Sequence, residues 1–110
     1  MSRTTTVLIL LLAAVLEAGG DAIVRYGLHR SSPFTRVAIF LVGAIVLFSY
    51  GITVNSPPWD FGRLLGLYVV FFFVVAQLLS WIVFQQRPSP AVLAGGALII
   101  LGGGVIAIFQ

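Results

Sequence analysis

Glu17, Asp21 and Arg25 stand four residues apart inside an otherwise apolar run. That spacing places them along one slowly spiralling face of a helix. If the run crosses a membrane, an acid or arginine near its middle costs roughly 2.5–3.5 kcal/mol, whereas each Leu or Ile returns only about 0.3–0.6. Asp21 and Arg25 can offset one another as an i, i+4 ion pair with the acid on the N-terminal side, Arg25 reaching toward the interface. Glu17 has no basic residue one turn away on its own helix. Ionisable groups at such depth serve as proton relays, ion sites or cation-binding groups. A dry carboxyl that holds either a proton or a cationic solute, but not both, can couple their movements.

The elements that position these groups are four apolar stretches at about 5–28, 34–54, 62–84 and 91–109, each near the ~20 residues that cross a ~30 Å hydrocarbon core. Ser31-Ser32-Pro33, Asn55-Ser56-Pro57-Pro58 and Arg87-Pro88-Ser89-Pro90 separate them with residues that end helices. Linkers this short make neighbouring helices antiparallel, so the expected fold is an all-α membrane protein, an up-down four-helix bundle in a single domain, 1–110. Composition agrees: 60% hydrophobic and 8% charged residues leave too little polar surface to face water, and lipid must cover the remainder. An alternative reading of the start takes Arg3, the apolar run and Ala18-Gly19-Gly20 as a signal peptide. An intact helix accounts for more, because the apolar pattern resumes in phase through Ala22, Ile23 and Val24.

Several function classes drop out. The chain has no cysteine, hence no disulfide, thiolate metal site or cysteine nucleophile, and His29 is its one histidine. There is no phosphate-binding loop, and the six arginines are scattered rather than clustered as a nucleic-acid surface requires. No cofactor, metal, catalytic residue or nucleic-acid partner is expected, and no enzyme activity. The partners expected are the lipid bilayer, a second copy, protons and a small-molecule substrate.

On the first helix, Ala13, Ala14 and Gly20 lie near the polar stripe, while Leu8, Leu12, Leu16 and Ile23 lie elsewhere on the circumference. The small, polar face suits the interior and the bulky one suits lipid. Tyr26, Tyr50, Trp59 and Trp81 fall near helix ends, as headgroup-level anchors do. Asp60 and Arg63 read as an exposed cap or loop pair at the mouth of the third helix, and Gln77 as packing glue bonding another helix. In the fourth, Gly95, Gly96, Gly102, Gly103 and Gly104 offer a surface that a second backbone can approach closely, in a dimer or within the subunit.

Taken together these residues resemble the small multidrug resistance transporters of the drug/metabolite transporter superfamily, including their YnfA-like relatives. The likeness covers nearly the whole chain. Glu17, Gly20 and Arg25 match the family's first helix, and Ser80-Trp81, Gln86-Arg87, Pro90, Gly95 and Gly102 match the region joining its third and fourth helices. Phe34-Thr35-Arg36 is a weaker match. The resemblance implies a homodimer in which the first three helices of each subunit enclose a shared chamber and the fourth helices form the interface, through Gly95, Gly96, Gly102 and Gly103. Glu17 is then the coupled proton and substrate site, with Arg25 and Tyr68 as further binding groups and Ala13, Gly20 and Trp81 lining it; Asp21, one turn from Glu17, is a further binding group that this chain adds.

This sequence departs from the family in two places. Tyr68 stands where the family has a tryptophan, and the glycines expected after it are replaced by apolar and aromatic residues through Phe73. Asp21 occupies a position that is normally small and neutral. A second acid beside Arg25 suits a zwitterionic or guanidinium-like solute better than a bulky hydrophobic cation.

The leading expectation is a proton-coupled secondary transporter exporting a cationic or zwitterionic small molecule. A non-transporting structural or partner-binding membrane protein, and a small passive ion channel, are the alternatives. Arg30, Arg36 and Arg87, with Arg25 if it snorkels, oppose Arg3 and Arg63, which puts the 1–2 and 3–4 loops in the cytoplasm and both termini outside a bacterial inner membrane. Tags at either terminus are therefore expected to react with an impermeant label in intact cells. Protection of both tags reverses the orientation, and half-labelling shows dual insertion.

Overall fold

In the computed structural model, which describes residues 1–109, the chain forms four α-helices: α1 (Arg3–Leu28), α2 (Pro33–Val54), α3 (Phe61–Ile82) and α4 (Pro90–Phe109). No strand is present among the described residues. All four helices are long and apolar enough to cross a membrane. Helices are what lipid permits, because their backbone N–H and C=O groups are satisfied within the segment.

Local chemistry sets the helix limits. Ser2 caps α1, its side chain accepting a 3.1 Å bond from the Thr5 N–H. Ser32 caps α2 in the same way, with Pro33 at the start where a missing N–H costs nothing. Ser49, Thr53, Asn55 and Ser56 return their side-chain protons to carbonyls four residues earlier, which hides these polar groups in an apolar helix. α3 stops at Ile82, two residues before the end expected from hydropathy. There Gln85 turns the chain with a φ of 54° and the Gln86 N–H bonds the Ser80 carbonyl at 2.9 Å.

α1 is the most enclosed helix: it packs against α2 on one side and α3 on the other, while α4 packs on α3. The molecule measures 50 × 34 × 20 Å, and its thin direction is about two helix diameters. The core is a small cluster of Leu10, Ala13, Ala14, Val54, Leu64 and Tyr68. Outward-facing Phe34, Ile45, Phe48 and Ile82 are left for lipid.

Glycine permits close approach between helices at several contacts. A Cβ on Gly20 would meet the Leu47 side chain at 2.6 Å, and one on Gly43 would meet Val24 at 2.8 Å. Gly20 therefore sits at the crossing of α1 with α2. On α4, Gly96 is filled by Phe73 and Gly103 by Val70, both from α3 of the same subunit, whereas Gly95, Gly102 and Gly104 have nothing within 4 Å of a Cβ position. Gly20→Leu is expected to destabilise the protein by about 1–3 kcal/mol by overpacking that crossing. Gly19→Leu, at a position with no neighbour within 4 Å, should leave the detergent melting temperature nearly unchanged.

Candidate functional site

Glu17 lies 14 residues along α1 from Arg3, about 21 Å at 1.5 Å per residue, well inside the span. Its Oε1 accepts a 2.8 Å hydrogen bond from the Tyr68 hydroxyl. Tyr68 is only 3% exposed. Its ring lies 5.6 Å from that of Tyr50 and 6.4 Å from that of Phe72, so aromatic contacts from α2 and α3 hold the hydroxyl in place. Ala13 and Ala14, fully buried, leave room on α1 for the tyrosine to come this close. Oε2 of Glu17 has no hydrogen bond among the described residues, which leaves it free for a proton or a second donor.

One turn further along α1, Ala18, Asp21, Ala22 and Arg25 form one wall of a 230 Å³ cleft. Phe72, Ala76, Leu79 and Ser80 of α3 form the other, with Phe84 and Gln86 closing the end. Asp21 and Arg25 thus share a cleft without joining as the ion pair their spacing suggests. The Arg25 guanidinium instead lies 5.4 Å from the Phe84 ring centroid, a cation–π arrangement. Asp21 is exposed on the single chain.

The remaining sequence candidates are placed elsewhere. Gly20 faces Leu47 of α2, not the cleft. Trp81 is 49% exposed, lies outside the cleft lining and carries the Arg87 guanidinium 5.4 Å from its ring. Tyr26 pairs with Arg30 and Trp59 with Arg63 in the same manner. Asp60 takes the N-cap position of α3 without a side-chain capping bond, and Arg63 turns to Trp59. The Gln77 side chain bonds no other helix among the described residues.

Tyr50 is the residue that sequence reasoning misplaced. Its position near a helix end suggested a headgroup anchor, yet it packs on Tyr68 beside the carboxyl. The available signal was depth: Tyr50 precedes the end of α2 by four residues, about 6 Å, which is enough to sit inside the apolar layer.

A four-span helical membrane protein with a carboxyl and a tyrosine bonded inside it is the class that this geometry defines. The chain belongs to the YnfA/UPF0060 family, described as uncharacterised, whose profile matches residues 3–110. It is similar to a UPF0060 membrane protein of Rhodococcus erythropolis, 34% identical over 109 residues and covering 96% of both chains. It is also similar to YfjF of Bacillus subtilis, 33% identical over 103 residues, 92% of this chain and 91% of that one. A third relative, from Mycolicibacterium vanbaalenii, is 35% identical over 102 residues, 90% of each chain. No solved structure matched.

The Glu17–Tyr68 bond is expected to show energetic coupling. In a double-mutant cycle of Glu17→Gln and Tyr68→Phe, the interaction energy for unfolding should be of order 1–3 kcal/mol. Additive effects of the two substitutions would mean that the bond contributes nothing to stability.

Proposed function

We propose that this protein is a small secondary transporter of the bacterial inner membrane that exports a cationic or zwitterionic small molecule in exchange for protons. The observation that carries this reading is a carboxyl deep within the membrane span, held on one oxygen by Tyr68 and adjoining a cleft that contains Asp21 and Arg25. A protonated Glu17 is neutral and pairs weakly with a cation, whereas the carboxylate, with Tyr68 donating to one oxygen, keeps its charge for one. When a cationic solute binds, the protonated carboxyl releases its proton to water and the resulting carboxylate becomes the solute's counter-ion. Asp21 offers a second contact for the solute's positive group, and Arg25 can receive a carboxylate if the solute is zwitterionic, because guanidinium pairs well with carboxylate geometry. The likeness of Glu17, Gly20 and Arg25 to the small multidrug resistance pattern supports the same reading.

The working unit in this proposal is a homodimer. A 230 Å³ cleft is small for an organic solute, and two such clefts facing each other make a larger chamber. Gly96 and Gly103 are occupied within the subunit, so the open Gly95 and Gly102 supply the surface for the partner copy. That same open side of α4 favours the second reading, a membrane protein that docks a different partner and transports nothing.

Proton release separates the two. Purified protein in lightly buffered detergent is expected to acidify the medium when a transported amine or guanidinium compound is added, with up to one proton released per bound solute. Glu17→Gln should abolish the response. A panel of such compounds that causes no proton release from folded protein would leave the partner-binding reading in place.

A further inference from the structure

At the end of the molecule opposite Arg25, the start of α1, the start of α3 and the end of α4 surround a second cavity of 480 Å³. Two arginines, Arg3 and Arg63, line it, and the nearest acid in sequence, Asp60, is not among its lining residues. The Nε of Arg63 is buried and has no hydrogen-bond partner, while its guanidinium carbon lies 4.5 Å from the Trp59 ring centroid. Nearly all buried donors find an acceptor, and an arginine has no acceptor of its own to offer. Apart from Thr6, the remaining walls are mostly apolar, with Leu10, Leu67, Phe71 and Ile108 prominent.

We propose that this cavity binds an anionic phospholipid, its phosphate on Arg63 and Arg3 and part of an acyl chain along the apolar walls. The Arg63 guanidinium makes no hydrogen bond among the described residues, and a phosphate can accept from its terminal nitrogens, whose planar fork suits phosphate geometry. Trp59 marks the depth, since tryptophan favours the headgroup level of a bilayer. A freely soluble phosphate fits less well, because it leaves the Leu67, Phe71 and Ile108 surface without a hydrophobic occupant. The site shares no lining residue with the cleft of Asp21 and Arg25 and does not depend on transport.

Trp59 reports on the site directly, because the chain has two tryptophans and Trp81→Phe leaves Trp59 alone. In dodecyl maltoside micelles, phosphatidylglycerol with brominated acyl chains is expected to quench Trp59 at about tenfold lower mole fraction than brominated phosphatidylcholine, the difference expected for a charge-assisted hydrogen bond. Arg63→Gln should remove that preference with helix content by circular dichroism unchanged, and Arg36→Gln at the other end should keep it. If Arg63→Gln does not fold, the ratio between the two lipids in the Trp81→Phe protein still decides. Equal quenching by both lipids overturns the proposal. Displacement of phosphatidylglycerol by millimolar inorganic phosphate also overturns it, assigning the cavity to a soluble anion.

Discussion

A carboxyl group inside hydrocarbon must find a polar partner or be driven out, and the packing of the first three helices meets that requirement at Glu17. Water is not available at that depth as a general acceptor and donor, so each polar group depends on a specific neighbour. Tyr68 is that neighbour, and it can reach Glu17 because α1 presents Ala13 and Ala14 where larger residues would hold α3 away. Tyr50 and Phe72 then fix the ring against the remaining freedom of the tyrosine. The small residues, the aromatic pair and the carboxyl are therefore one arrangement, built by three consecutive helices from residues distant in sequence.

The same economy of polar groups runs through the rest of the chain. Hydroxyls and amides on α2 turn back to their own helix, and arginines at the ends lie over aromatic rings that sit at headgroup depth. Cation–π contact lets a guanidinium keep its charge near the interface with its apolar plane covered. Arg25 follows this pattern with Phe84 and so leaves Asp21 unpaired, which turns an expected internal neutralisation into two separate charged groups on one cleft. The cleft can offer both signs of charge to a solute only because that pair does not close.

α4 has a different role from the others. It packs on α3 through Gly96 and Gly103, and its second row of glycines stays open. Phe73 and Val70 fill the first row. Large side chains on α3 and missing side chains on α4 interlock there, which joins the two helices as a ridge and groove.

Much of this molecule was already legible in its residues. The four spans, their antiparallel order and the depth of Glu17 follow from the length of apolar runs and the proline-rich breaks, because a bilayer has a fixed thickness and a helix a fixed rise. Those constraints are local, and a one-dimensional pattern expresses them fully. Which glycines pack inside the subunit, why Gly20 faces Leu47 and not the cleft, and how Tyr50 joins Tyr68 were decided by tertiary structure. Periodicity along a helix tells which residues share a face but not which neighbouring helix that face meets, since in lipid that choice depends on how side chains of different helices fit together.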